Sequence, residues 1–203
     1  NLPVVRFDGA DATWGTSGNF GSITTNRTVV AFCRLTSTND GFLFDGSTGS
    51  GMTRAQVRNG SWQVGLQPSG GGANADTNTL PATNDVWQTH LFTFEKLASS
   101  TRVTHSIAGG ASFTYTNSQT VGLGGLIVGE NVSASLGLAV DVAEFLVFDR
   151  TLDSTEQSQI VSYLAAKWGT PTNAAPPEMQ VLSCTAAQTN RTVPNLGLHH
   201  LPD

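Results

Sequence analysis

Charge is scarce in this chain. Of its 203 residues only 12% are Asp, Glu, Lys or Arg, and lysine occurs only as Lys96 and Lys167. Soluble domains carry about 25% charge, so neutral Thr, Ser, Asn and Gly must dress this surface. The remaining basic residues are single, scattered arginines. Without a basic cluster there is no electrostatic footprint for nucleic acid or an anionic membrane surface. No apolar run approaches the roughly 18 residues of a membrane span. Disordered chains lean on high net charge, and a net charge of −5 does not supply it. Cysteine is nearly missing too: Cys33 and Cys184 stand far apart, without metal-ligand spacing.

What is present fits one good-sized domain. Hydrophobic residues make up 38% of the chain, and 22 glycines punctuate it. The sequence starts at Asn1 rather than Met and reads as a mature, processed chain. Sequons at Asn26, Asn59, Asn131 and Asn190 are candidate glycosylation sites. Together with the scarcity of lysine they point to an extracellular, secreted or cell-surface protein. Oxidised cysteines are then allowed. A Cys33–Cys184 bridge would tie down the C-terminal end and restrict the unfolded chain by roughly 3–5 kcal/mol in the entropic model. Free buried thiols and a cross-link between subunits are the alternatives.

Short strands fill the body. Residues 2–7, 28–35, 42–44, 87–95, 126–128 and 140–148 are apolar or alternating runs bounded by turn residues. Residues 56–58 and 61–66 flank Asn59-Gly60, the strongest two-residue hairpin signal because both turn positions need positive φ. Residues 102–107 and 112–115 flank Gly109-Gly110 in the same way. The nearly unbroken apolar run 140–148 predicts a central strand covered on both faces. One helix is expected: Asp153 as N-cap with Glu156 closing a capping box, an apolar stripe of Ile160, Val161, Leu164 and Trp168, and Gly169 with Pro171 as the stop. The expected fold is all-β, an antiparallel two-sheet sandwich (jelly roll) over residues 1–170, with one short C-terminal helix. Five of the eight prolines fall in residues 171–203, which read as an extended tail rather than a second domain. Residues 179–184 could add a short strand to a sheet edge, in the same chain or a neighbouring one.

Particular residues carry a family likeness. Residues 142–152 read V-A-E-F-L-V-F-D-R-T-L, and residues 163–169 read Y-L-A-A-K-W-G. These resemble the closing strand ("I-A-E-x-L-V-Y-D-R-x-L") and helix end ("Y-L-x-x-K-W-G") of bacterial concanavalin A-like, laminin G-like domains. Phe7-Asp8-Gly9-Ala10-Asp11 is similar to that family's "F-D-G-x-D" opening, residues 87–94 to its central strand, and Gly125 to Gly129 to its "G-L-x-I-G" segment. The likeness spans about residues 2–169 and implies the jelly-roll sandwich. Such domains serve as sugar-binding modules, adhesion domains, enzyme appendages and structural parts, so fold does not choose among them.

Catalytic spacing is missing. Glu144 and Asp149 are five apart and would face opposite ways on an unbroken strand, so they do not form the acid pair of a sandwich glycosidase. The family resemblance implies that they are structural, one binding backbone or an Arg and the other closing a turn. No G-x-S-x-G elbow is present. His90 and His105 read as hydrogen-bonded strand histidines, and the adjacent His199 and His200 would point apart. Calcium is the ion that loop carboxylates suit best, with Asp8 and Asp11 as ligand candidates beside other turn-bordering acids. Sugar recognition needs an aromatic platform beside planar hydrogen-bonding groups. Trp14 and Trp62 are the platform candidates, with Asp45, Arg54, Arg58 and Asn59 as polar partners; Trp87 and Trp168 are assigned to the core. The expected function is a secreted, non-enzymatic module that binds a glycan or extracellular surface, in adhesion for example. The alternative is a structural subunit of a filament, sheath or surface layer whose tail docks on its neighbour.

Overall fold

The computed structural model describes residues 3–9, 14–16, 23–46, 52–67, 75–120, 122–131 and 136–169. They form two six-stranded antiparallel sheets and one helix. The first sheet runs, edge to edge, β1 (Val5–Asp8), β12 (Ala139–Phe148), β3 (Arg27–Leu35), β8 (Trp87–Lys96), β9 (Thr101–Ile107) and β10 (Ser112–Asn117). The second runs β2 (Trp14–Thr16), β11 (Leu126–Val128), β4 (Gly41–Asp45), β5 (Met52–Arg58), β6 (Ser61–Gln67) and β7 (Ala75–Pro81). The helix α1 covers Ser154–Trp168. The expected all-β sandwich with one helix is therefore the observed fold. Residues 170–203, and with them Cys184, Asn190, His199 and His200, lie outside the described residues.

Alternation builds the core. Val29, Ala31, Cys33 and Leu35 of β3 meet Ala55 and Val57 of β5 and Trp62, Val64 and Leu66 of β6 between the sheets. Each buried aliphatic or aromatic side chain contributes about 1.5–3 kcal/mol relative to leaving it exposed. One cation lies within this layer. Arg27 donates to the Thr53 hydroxyl from Nη2 (2.6 Å) and Nε (3.0 Å), lies over the Phe94 ring, and so links the two sheets. Burial lowers its pKa to about 10, which leaves it charged at neutral pH.

The outer face of the first sheet carries the helix. Val30, Phe32 and Leu91 pack with Leu152 and Leu164, flanked by Ile160, Val161 and Trp168. The helix starts as expected: the Asp153 side chain accepts from the Glu156 N–H (2.9 Å), and the Glu156 carboxylate accepts from the Asp153 N–H (3.0 Å). Trp87, assigned to the core from the sequence, is half-buried in this second cluster, with its ring 5.2 Å from that of Phe32.

Strand β12 holds a bulge. Val142 pairs with Cys33, but Glu144 pairs with Phe32, so the register shifts by one residue between them. An unbroken strand would send Glu144 inward with Val142; the extra residue turns it to the helix side. There Tyr163 Oη donates to Oε1 (2.9 Å), while Trp168 Nε1 and Lys167 Nζ reach Oε2 (both 2.8 Å). These contacts hold the Glu144 carboxyl below the usual carboxylate range against the opposing effect of burial. Glu144 is structural as expected, but its partners are helix side chains rather than backbone or an arginine.

On the same sheet, in-register neighbours Arg6 and Arg34 both bind the buried Asp141. Among the described residues no helix is long and apolar enough to cross a membrane.

Glu144→Ala removes the acceptor of three helix side chains. We expect a loss of about 1–3 kcal/mol, measured by urea unfolding, with retained β-sheet circular dichroism.

Candidate functional site

The outer face of the second sheet is where polar side chains converge. The Asn59-Gly60 turn has φ of 49° and 71° at its two central residues, so β5 and β6 form the predicted two-residue hairpin. That turn fixes which residues stand side by side: Gln56 with Gln63, Arg54 with Gly65, Met52 with Gln67. Because Ala55, Val57, Trp62, Val64 and Leu66 face the core, Arg54, Gln56, Arg58, Gln63 and Gln67 face outward. Strand β7 extends the array, with Asp76 beside Gly65 and Asn78 beside Gln63.

These groups are joined into one network. Arg54 grips Asp76 with two bonds, Nε to Oδ1 (2.9 Å) and Nη2 to Oδ2 (2.7 Å), and its Nη1 donates to Gln67 Oε1 (2.9 Å). Gln56 Nε2 donates to Gln63 Oε1 (3.0 Å) and Asp76 Oδ2 (3.2 Å), and Gln63 Nε2 donates to Asn78 Oδ1 (2.6 Å). Gly65 makes the arrangement possible. A Cβ there would overlap the Asp76 carboxylate, so the missing side chain lets that carboxylate lie against the sheet. Arg54 and Gln56 are buried beneath the network, Gln63, Gln67 and Asp76 are half-buried, and Asn78 is exposed. Planar amides each offer a donor and an acceptor, the chemistry that reads hydroxyl groups. Among the described residues no exposed aromatic ring accompanies them on this face; Phe42 is buried, 5.7 Å from the Arg54 guanidinium.

The sequence-derived candidates divide. Arg54 belongs to the network. Arg58 is an outward residue of the same strand, half-exposed and facing Asp40 at 3.8 Å. Asp45 ends β4 and is buried. Trp62 is a correction: it is 0% exposed, in the inter-sheet core, with its ring 4.6 Å from His90 and 6.2 Å from Phe92. Its place after a hairpin turn suggested exposure, but strand parity turns it inward, and it cannot stack on a sugar. Trp14 lies on β2, paired with Val128; its side chain is outside the described residues. Gln56, Gln63, Gln67 and Asn78 escaped the sequence reading, which places Asp76 only among the turn-bordering acids suited to calcium. The signal that could have found them was the hairpin register, which alone aligns the β5 and β6 amides.

Other candidates are placed as follows. Asp8 is exposed at the end of β1, Asp11 lies outside the described residues, and no three potential metal ligands converge among those described. Cys33 is a free thiol 1% exposed within the core, and burial, with the Asp141 charge beside it, pushes its pKa up to about 12. A bridge to Cys184 would need the tail to enter between the sheets. Asn59 is exposed at its turn, Asn131 is half-buried, and Asn26 Oδ1 accepts from the Lys96 N–H (2.9 Å).

The strand histidines form a buried pair. His90 Nδ1 and His105 Nε2 share a hydrogen bond (3.0 Å), and His105 Nδ1 bonds the Thr79 hydroxyl (2.7 Å). Burial lowers the pKa to about 3 at His90 and, with the neighbouring ring adding to it, to about 2 at His105. Both are neutral, packed core residues, in agreement with the sequence expectation.

No protein-family model matches the chain, and neither does any curated protein. Solved structures do match. The receptor-binding domain of botulinum neurotoxin D is 13% identical over 84% of this chain and 47% of its own, with a TM-score of 0.60. A botulinum neurotoxin type C structure is 11% identical over 81% and 47%, with a TM-score of 0.51. Domains LG4–5 of the mouse laminin α1 chain are 13% identical over 75% and 45%, with a TM-score of 0.50. The chain spans about half the length of each. At these identities the likeness shows the fold, a laminin G-like β-sandwich.

The histidine pair fixes the sign of an acid effect. Unfolded histidines bind protons below about pH 6.5, and the folded pair resists doing so until near pH 3. Their contribution is therefore complete above the unfolded value and is lost as pH falls below it. The loss approaches about 1.4 kcal/mol per pH unit for each ring. Urea midpoints measured from pH 7 to 4 should show this slope, and it should shrink by about half in His90→Gln; an unchanged slope would exclude the pair as its source.

Proposed function

We propose that this domain is a carbohydrate-binding module whose ligand lies across the outer face of the second sheet. The observation that carries it is the amide-rich row Gln56–Gln63–Asn78 beside the Arg54–Asp76–Gln67 cluster, a hydrogen-bonded network over three strands in which buried Gln56 and Arg54 support the more open Gln63, Gln67, Asp76 and Asn78. Hydroxyl-rich ligands fit such a surface because each sugar hydroxyl both donates and accepts. The fold supports this use: botulinum neurotoxin type C, a structural neighbour, depends on interaction with ganglioside molecules for cell entry. The neutral, lysine-poor composition is compatible with an extracellular or cell-surface setting and with adhesion. The module acts by recognition, without catalysis: Glu144, one of the two acids considered for catalysis, seats the helix instead.

Gln63→Ala combined with Asn78→Ala tests this. Gln63 is half-buried and Asn78 exposed, and Gln56 keeps Asp76 as an acceptor, so the unfolding midpoint should move little. On a glycan array the purified domain should bind, and the double variant should lose about tenfold or more in affinity, the scale of one to two hydrogen bonds. A flat array for the unmodified domain would overturn the proposal.

A further inference from the structure

We infer that the ligand of this face is an uncharged polysaccharide, and that Asp76 is the residue that makes it so. The inference rests on the carbohydrate-binding function proposed above. Recognition of a carboxylate, sulfate or phosphate group calls for an open cation, ideally a guanidinium fork presented to the ligand. Two arginines occupy outward positions on β5, and each faces a carboxylate. Arg54 spends Nε and Nη2 on Asp76 and Nη1 on Gln67, and its side chain is only 6% exposed. Arg58 faces Asp40 at 3.8 Å. Asp45 stands buried one residue beyond the core-facing Phe44 and adds no positive charge. The face therefore presents no unopposed cation among the described residues, and an acidic chain would meet carboxylates before it met a free guanidinium.

What the face does offer is neutral. Gln67 and Asn78 use their amide oxygens within the network, as acceptors from Arg54 and Gln63. Their amide nitrogens remain for hydroxyl acceptors on a ligand. Beyond its two bonds from Arg54, the Asp76 carboxylate accepts a third from the Gln56 amide. Gly65 is part of the same device, since only a residue without Cβ lets the Asp76 carboxylate reach across to Arg54. The sheet thus positions one acid to neutralise its most central cation and surrounds the pair with amides.

Immobilised galactomannan, xyloglucan and laminarin as neutral polymers, with polygalacturonate and alginate as acidic ones, test this directly. The unmodified domain should be retained by at least one neutral polymer and by neither acidic one. Its retention should be unchanged between about 50 and 500 mM NaCl, because screening acts only on charged partners. Asp76→Asn keeps the side-chain shape and releases the Arg54 charge. It should gain retention on polygalacturonate that fades over the same salt range. Acidic polymers held by the unmodified domain as tightly as neutral ones would overturn the inference, whether or not the variant folds. So would a folded Asp76→Asn domain that still ignores polygalacturonate. In both cases the carbohydrate-binding function stands. Retention on no polymer of either class would instead remove that function, and the inference with it.

Discussion

Two opposed sheets close one core by alternate residues, and this alternation governs every other assignment in the molecule. When Ala55 and Val57 turn inward from β5, Arg54, Gln56 and Arg58 have to turn outward. When Trp62, Val64 and Leu66 turn inward from β6, Gln63, Gly65 and Gln67 are left on the other side. The buried apolar area supplies the main stabilising contribution, and the polar array on the outer face is its geometric by-product. Function on this fold therefore does not need its own scaffold. It needs only that the outward half of each strand be chosen for recognition, while the inward half is chosen for packing.

The two outer faces have been put to different uses. The first sheet is roofed by α1, whose Leu164 and Trp168 pack on Val30 and Phe32. Two of its acids are held by protein groups: Asp141 between Arg6 and Arg34, Glu144 beneath Tyr163, Lys167 and Trp168. The second sheet carries no such helix among the described residues; Gln63, Gln67 and Asp76 are half-buried and Asn78 is exposed above the buried Arg54 and Gln56. A buried ion pair is weak evidence for stability, because desolvation offsets attraction. Its better-attested use is to fix geometry, and the two-pronged Arg54–Asp76 contact does that for the amides around it.

Much of the fold was legible in the residues. Alternation, the Asn59-Gly60 turn and the Asp153–Glu156 box located most strands and the helix within a few residues. The strands that escaped, β2 and β7, are both edges of the second sheet. An edge strand buries less, so its residues need not be apolar; Ala75–Pro81 reads A-D-T-N-T-L-P and looks like a loop. The site was less legible for a related reason. Its residues are polar, spread over three strands, and united only by register. Trp62 shows the same limit from the other side. Aromatic type and a nearby turn suggested a binding platform, whereas which way it points depends on its parity relative to Val64 and Leu66. The likeness carried by residues 142–152 and 163–169 proved to be physical as well as a pattern. Its Glu, Tyr, Lys and Trp are the residues that meet one another across strand and helix.

The single-residue irregularity in β12 has a wider consequence. Before it, the strand is in phase with the sandwich interior through Val140 and Val142; after it, Phe145 and Val147 resume that phase one step late. The irregularity therefore works as a phase shifter between two mechanical parts, the sheet and its roof. Pairing the same residues without that step would carry a carboxylate into grease and leave three helix side chains with nothing to hold, whereas removing the extra residue, Ala143, would keep Glu144 on the helix side. That step marks a place where pairing register, rather than residue type, decides which side chains meet the helix.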